Sequence, residues 1–414
     1  MGSIEAWPWR RRLALITAVA LWVAAFVVSA QLQGLVGLDP PPGEYSLARW
    51  EVRHLLNKWL YALGHITDGA PDEAAASAHV SRFLDLTAQI DREEIAISDA
   101  ARRDQPVGQP RVDALHAMRE ERDAIENDVE ATIERRVTAI MRREGILHRS
   151  IFFPPVDFEF AVPPPALVTS YRDRIELRDS VLLEEDLDLE QIERIEDKAE
   201  QRNDNTSALT FPTSGIGAYP TMVEFATSYQ RLLEVVAHEW MHNYLALSPL
   251  GFNYYDSPAL RSMNETVASI VGDEMAQTVM SAWPLGEAPV PAQEAPRPGR
   301  RRNQPNAIEE LRELRGEVDV LLADGKVEEA EALMERRRQE LAARGVYYRK
   351  INQAFFAFTN LYAGSSGNPV ATNPIGPKLD ELRKRSATLG DFVRSVRGMS
   401  NPSDLDEALQ QPSP

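Results

Sequence analysis

The stretch VVAHEWMHNYL, residues 235–245, constrains this chain more than any other part of its sequence. It places His238 and His242 four residues apart within an apolar run. Because an α-helix makes one turn in about 3.6 residues, a helix here would project both imidazoles from one face, where they can bind the same cation. The adjacent Glu239 could then point at a water on that cation without ligating it. The spacing predicts a catalytic metal site.

The alternative is that both histidines are ordinary core or surface residues and that Glu239 forms an ion pair. Residues such as Val236 and Trp240 make the predicted helix apolar around most of its circumference. Burying two imidazoles and a carboxylate there without a ligand would cost desolvation free energy, which a bound metal removes. The chain has no cysteine, so histidine and carboxylate must hold any metal.

A catalytic zinc ion takes three protein ligands and keeps a fourth position for water. No histidine follows His242, so the third ligand must be a carboxylate. The best candidate is Glu265 in RSMNETVASIVGDE, because 22 intervening residues allow a loop and a returning helix. Asp256 and Asp273 are the next alternatives.

The pair HEWMH and NET resembles the gluzincin class of zinc metallopeptidases. The resemblance implies a zincin-like α+β fold and one Zn²⁺ per chain, held by His238, His242 and Glu265. It also implies that Glu239 is the general base. A weaker similarity, over residues 205–400, is to bacterial membrane-anchored proteins described as predicted aminopeptidases.

Beyond the predicted metal ligands, the chain matches the gluzincin pattern less completely. Many gluzincins have an aspartate four residues after the third ligand, where this chain has Ser269. Asp273 is then the candidate for orienting a ligating histidine, and Asn264 is a further neighbour in that outer layer. With no later histidine, a tyrosine must donate to the oxyanion. The candidates are Tyr254, Tyr255, Tyr348 and Tyr362.

The rest of the chain predicts a mostly helical protein with a small mixed sheet before the motif helix. Helical periodicity covers residues 45–143, alternating strand-like segments follow from residue 151, and the motif helix is expected over residues 222–247. Further helices are expected over Pro258–Met280, Ala307–Leu322, Val327–Arg344 and Tyr347–Tyr362. These patterns divide the chain into six predicted segments: 1–38 (cytoplasmic stub and anchor), 39–150 (charged helices, as a solvated hairpin or a partner-binding arm), 151–284 (catalytic core), 285–307 (proline-rich mobile loop), 308–400 (C-terminal helical subdomain) and 401–414 (disordered tail).

The N-terminus adds a prediction about location. Three arginines precede an uncharged stretch of 18 residues, Leu13 to Ala30, which is near the lower limit for a transmembrane helix. The positive-inside rule then leaves the catalytic region outside the cytoplasm, anchored to the bilayer, or secreted if the segment is cleaved. The net charge of −18 opposes binding to nucleic acid.

Together these features predict a membrane-anchored zinc metallopeptidase that hydrolyses peptide or protein substrates. Two alternatives stay open. The chain could be a non-catalytic envelope protein that binds a partner on a zincin scaffold. It could also be a zinc hydrolase of a non-peptide amide, such as a cell-wall crosslink.

Overall fold

The structure is a computed structural model that describes residues 43–51, 53–54, 58, 72–103, 105–147, 156–285, 307–360 and 374–410. Its helices are α1 (Glu73–Arg102), α2 (Gln109–Arg143), α3 (Leu189–Gln201), α4 (Tyr229–Leu245), α5 (Pro249–Phe252), α6 (Pro258–Ala282), α7 (Ala307–Ala323), α8 (Val327–Ala343), α9 (Gln353–Thr359), α10 (Ile375–Arg385), α11 (Leu389–Arg397) and α12 (Pro402–Gln410). Its strands are β1 (Phe158–Phe160), β2 (Ala166–Ser170), β3 (Leu177–Leu182), β4 (Ser207–Phe211), β5 (Gly215–Ile216) and β6 (Thr221–Val223).

The strands form two small sheets. One is mixed, in the order β1-β6-β5, with β1 parallel and β5 antiparallel to the central strand. The other is antiparallel, in the order β3-β2-β4. The predicted small mixed sheet is therefore present directly before the motif helix, and the other strand-like segments form a second sheet.

The motif helix α4 begins later than the sequence pattern predicts. Ser228 is its N-cap, and the Ser228 hydroxyl accepts a hydrogen bond from the backbone N–H of Arg231 at 3.1 Å. Met222 and Val223, expected in the helix, instead belong to β6, which pairs with β1. The prediction of a start near residue 222 is wrong because backbone pairing in the sheet and the serine cap set the boundary.

Carboxylates on a helix protect the outer edge of each sheet. On α2, Glu130 and Glu134 accept hydrogen bonds from the backbone N–H groups of Phe160 and Phe158, at 2.8 and 3.0 Å. Four helical residues advance about 6.0 Å, close to the roughly 6.6–6.8 Å of two strand residues. Two side chains one turn apart therefore match alternate N–H groups of β1.

Helix α3 repeats the arrangement on the second sheet. Glu196 accepts from the N–H of Thr210 at 2.7 Å, and Glu200 accepts from the N–H of Ala208 at 3.0 Å. Strand β4 is thereby covered by a helix at its open edge, and the covered N–H groups cannot pair with another chain.

Two large hydrophobic clusters, and a small third one around Trp50, Ala218 and Met222, stabilise the described residues. The main core joins the inner faces of α4 and α6 to the base of the α1–α2 hairpin and to α10–α12. The second core joins the β3-β2-β4 sheet to α7, α8 and α9. The far part of the α1–α2 hairpin carries exposed ion pairs, such as those of Arg82 with Glu121 and of Arg111 with Glu93.

Several boundaries differ from the predictions. The expected helix over residues 347–362 is confined to Gln353–Thr359, because Asn352 caps it by accepting from the N–H of Phe355 at 3.0 Å. The expected disordered tail contains helix α12, whose Leu405 is buried in the main core. Residues 286–306 of the proline-rich segment lie outside the described residues.

The prediction of an N-terminal transmembrane helix is contradicted. Among the helices of the described residues, none is both long enough and apolar enough to cross a bilayer. The stretch 13–30, on which the prediction rests, lies outside the described part of the chain. The membrane location and the bilayer contact derived from it therefore lose their basis.

Candidate metal centre

Packing of α4 against α6 brings the predicted ligands together. Oε2 of Glu265 lies 3.4 Å from Nε2 of His238 and 3.5 Å from Nε2 of His242. The two Nε2 atoms lie 3.2 Å apart. Glu265 is buried, and its Oε2 has no hydrogen-bond partner among the described residues. Three ligand atoms from two helices thus face one small space.

The separations fit a tetrahedral metal site. Ligand atoms about 2.0–2.1 Å from a tetrahedral zinc ion lie roughly 3.3–3.4 Å from one another. The observed separations of 3.2, 3.4 and 3.5 Å match that value. A direct charge-assisted hydrogen bond between imidazole and carboxylate would be shorter, about 2.7–2.9 Å. Two imidazoles and one carboxylate are also a ligand set found in catalytic zinc sites.

A close approach between the helices makes this geometry accessible. A Cβ on Gly272 of α6 would lie only 2.8 Å from the backbone oxygen of Glu234 and 3.4 Å from Cβ of His238. Any larger residue would therefore push α6 away from α4. Because Glu265 lies on the same helix, such a shift would also move its carboxylate from the histidines.

Each proposed ligand is oriented by a neighbour. Nδ1 of His242 lies 2.8 Å from Oδ1 of Asn264, so it donates to that oxygen and leaves Nε2 as the ligating atom. Nδ1 of His238 lies 3.4 Å from the hydroxyl oxygen of Ser269. The Ser269 hydroxyl itself donates to the backbone oxygen of Glu265 at 2.9 Å, so its oxygen can accept from the imidazole.

Tyr254 acts on the third ligand. Its hydroxyl donates to Oε1 of Glu265 at 2.5 Å, and its ring packs edge to face on the His242 ring, with centroids 6.4 Å apart. One carboxylate oxygen is thereby engaged, while Oε2 faces the imidazoles. The carboxylate is held in an orientation that suits single-oxygen ligation.

Glu239 lies at the same centre, beneath the edge strand of the mixed sheet. His238, Glu239 and His242 offer ligand atoms that all lie within 4.8 Å of one another. A Cβ on Gly215 of β5 would lie 2.7 Å from Cγ of Glu239. Similarly, a Cβ on Gly217 would lie 2.9 Å from Cβ of His242. The glycines let backbone lie directly against the motif.

Either acidic side chain could in principle complete the ligand set. Glu239 belongs to the group defined by the motif itself, but Glu265 has one oxygen nearly equidistant from both imidazoles at tetrahedral spacing. On that ground Glu265 is the better candidate for the third ligand. Glu239 is then free to act on a water.

The electrostatics of the site favour positive charge. Burial lowers the pKa of His242, but the Glu265 and Glu239 carboxylates and the hydrogen bond with Asn264 together raise it, to about 9. Burial raises the pKa of Glu265, but His242 and His238 lower it by more, to well below its usual range. Burial also raises the pKa of Glu239, which the two histidines only partly offset. A cation in this space would be stabilised by the same carboxylates.

The remaining candidates are placed as follows. Tyr255 stacks edge to face on Tyr254 and is 65% exposed. Tyr348 packs on Phe355 against the second core. Asp273 lies on α6, two turns after Glu265, and its proposed role in orienting a histidine stays a prediction. Tyr362 lies outside the described residues.

Sequence reasoning did not assign a role to Ser269 or to Gly272. A small hydroxyl residue four positions after a ligating glutamate is a signal for Ser269, because the two side chains lie on one helix face. A glycine inside a helix is a signal for Gly272, because it marks either a close approach or a weak helix.

Comparison with known proteins yields no match to a family model, to a curated protein sequence or to a solved structure. The likeness to gluzincins is therefore carried by the motif residues alone.

Proposed function

We propose that this chain is a zinc-dependent hydrolase of peptide bonds. The observation that supports the proposal is the convergence of His238, His242 and Glu265 at tetrahedral spacing, with one Glu265 oxygen buried and unpartnered. Residues of these types in this arrangement fit a divalent metal with an open position for water. When bound, such a metal lowers the pKa of its water and polarises a carbonyl group.

In the proposed reaction Glu239 is the general base and then the general acid. It takes a proton from the attacking water, whose oxygen bonds to the carbonyl carbon of the scissile peptide. The C–N bond then breaks, and Glu239 delivers the proton to the leaving nitrogen. Its position one residue after His238, on a different side of the helix, allows it to act on the water without ligating the metal.

Strand β5 is the proposed support for the substrate. It is the edge strand of the β1-β6-β5 sheet, and Gly215 lies against Glu239. An extended peptide can pair with a sheet edge through its backbone, which gives affinity independent of side chains. A peptide bound here would have its carbonyl groups close to the general base.

The test begins with the full-length chain. Metal content is measured by inductively coupled plasma mass spectrometry, and a peptide library and purified peptidoglycan are incubated with the protein. We expect one zinc per chain and cleavage of peptides. Bound zinc without cleavage of any peptide would contradict the proposal, and cleavage of peptidoglycan crosslinks alone would assign a non-peptide amide instead.

Two variants separate the proposed roles. Glu239→Gln removes only the base, so we expect unchanged zinc content and a loss of turnover of about 100-fold or more. Glu265→Ala removes a ligand, so zinc should be lost on dialysis. If Glu265→Ala keeps its zinc and Glu239→Gln loses it, the assignment of ligand and base is reversed.

A further inference from the structure

Arg261 lies beside the candidate metal centre, where it stacks on two tyrosines. Its guanidinium lies over two aromatic rings, 5.4 Å from the centroid of Tyr254 and 5.1 Å from that of Tyr255. Among the described residues it forms no ion pair, and its Nε is buried without a hydrogen-bond partner. The aromatic rings therefore hold the guanidinium in place, and its polar donors are not used within the described protein.

An arginine without an acidic partner among the described residues is unexpected in a chain of this composition. Acidic residues outnumber basic ones by 63 to 45, so acceptors for an arginine are plentiful. Arg261 also lies in the first turns of α6, which has no acidic residue in its first turn. A cation near a helix N-terminus is unfavourable, because the helix dipole is positive there. Stacking on two tyrosine rings accounts for the position of the guanidinium, but it leaves the buried Nε donor without an acceptor among the described residues.

The position of Arg261 relative to the ligands suggests a role in recognition. Tyr254 links the two sites: its hydroxyl donates to Glu265, and its ring lies under the guanidinium. Arg261 itself precedes Glu265 by one helical turn. Burial raises the pKa of Tyr255, Arg261 lowers it, and the carboxylates of Glu265 and Asp179 raise it to a smaller extent. Neither acid forms an ion pair with Arg261 among the described residues. One aromatic ring thus separates a free guanidinium from the proposed metal ligand.

We infer that Arg261 is a specificity-determining residue that binds a carboxylate of the substrate next to the scissile bond. The inference rests on the proposed function and adds to it a substrate class, namely peptides with a carboxylate close to the cleaved bond. A guanidinium matches a carboxylate with two parallel hydrogen bonds. Arg261 is half-buried and Tyr255 is 65% exposed, so part of this site can be reached by a ligand. The carboxylate can come from a free C-terminus or from an acidic side chain.

The experiment uses the full-length, zinc-loaded protein and peptide libraries in matched forms. One pair differs only in a C-terminal carboxylate or amide, and a second pair carries Asp and Glu or Asn and Gln at internal positions. We expect KM to be at least tenfold lower for one acidic form than for its neutral partner. The pair that shows the difference identifies the source of the carboxylate.

Variants assign the preference to the guanidinium. In Arg261→Gln we expect the KM for the acidic peptide to rise at least tenfold. The kcat for both peptides and the KM for the neutral peptide should change less than twofold. Arg261→Lys should retain part of the KM difference between the acidic and neutral peptides. Lysine keeps the positive charge but lacks the planar guanidinium that forms two parallel hydrogen bonds. Arg312→Gln, on the exposed face of α7, is the matched control and should behave as the parent. Equal zinc content is required of all four proteins.

Binding measurements keep the test independent of turnover. Acidic and neutral probe peptides are titrated calorimetrically into zinc-loaded Glu239→Gln, alone and combined with Arg261→Gln. Tighter binding of the acidic probe that disappears with Arg261→Gln supports the inference even if the parent hydrolyses no peptide, which would defeat only the proposed function. Equal binding of both probes, or an unchanged preference in Arg261→Gln, overturns the inference.

Discussion

The hydroxyl of Tyr254 donates to Oε1 of Glu265 at 2.5 Å, while Oε2 of the same carboxylate faces His238 and His242. One side chain from the loop before α6 thus determines which oxygen of the proposed ligand is available. The hydrogen bond joins two segments that the fold brings together, and it provides the first of four predictions.

Tyr254→Phe should weaken metal binding without unfolding the protein. The change removes the donor to Glu265 but keeps the ring against His242. Loss of such an outer hydrogen bond typically lowers metal affinity by about 10- to 100-fold. Zinc affinity measured by competition with a chromophoric chelator checks this. Tyr255→Phe is the control, and equal affinities in the two variants would contradict the role of Tyr254.

Gly215→Ala should reduce turnover more than it reduces stability. The new Cβ would lie 2.7 Å from Cγ of Glu239 and 2.9 Å from the backbone oxygen of Met222, so either the base or strand β5 must move. We expect kcat to fall by at least tenfold while zinc content stays the same. Gly316→Ala is the control, because its Cβ would meet nothing within 4 Å. At that exposed helical position alanine should stabilise the fold by about 0.5–1 kcal/mol. Unchanged kcat in Gly215→Ala would show that the strand tolerates the displacement.

Glu51→Gln should stabilise the protein at alkaline pH. Burial raises the pKa of Glu51 to about 7, and the hydrogen bond from the N–H of Tyr219 lowers it only in part. A carboxyl with a raised pKa in the folded state loses its proton first in the unfolded state, so its contribution to stability falls as pH rises from about 4.5 to 7. Above that range the penalty is on the order of 3 kcal/mol. Glutamine keeps an oxygen for the N–H of Tyr219 and carries no charge.

Thermal melts of the parent and of Glu51→Gln at pH 5 and pH 8 test this effect. We expect a higher Tm for the variant at pH 8 and a much smaller difference at pH 5. Glu313→Gln, at an exposed position on α7, controls for the overall change in net charge. The prediction fails if the Tm difference between the parent and Glu51→Gln is the same at both pH values.

Glu196→Ala should destabilise the second sheet. The Glu196 carboxylate accepts a hydrogen bond from the backbone N–H of Thr210 and forms ion pairs with Arg349 and Lys350. Its removal leaves a strand N–H without its acceptor and Arg349 without this ion pair, while Lys350 keeps its ion pair with Glu200. We expect a loss of about 2–4 kcal/mol in the free energy of unfolding, measured in urea. Glu193→Ala, exposed on the same helix, should change stability by less than about 0.5 kcal/mol. Similar losses in both variants would rule out the proposed edge protection.

The sequence alone predicted the two histidine ligands, because helical periodicity is a local property. A spacing of four residues places His238 and His242 on one face of any helix, whatever surrounds it. The absence of cysteine and of a later histidine then required a carboxylate, and Glu265 lies beside the imidazoles in the fold. Helices α1, α2, α7 and α8 were equally clear, because their patterns extend over several turns.

Only the tertiary structure decided what surrounds those ligands. The start of α4 depends on β6 pairing with β1, and no local pattern separates Thr221–Val223 from the helix that follows. Likewise, Tyr254 was one of four candidate tyrosines named from the sequence, and only packing places its hydroxyl on Glu265. The roles of Ser269, Gly215 and Gly272 come from contacts between elements that are distant in the chain. Such contacts depend on packing, which residue spacing does not encode.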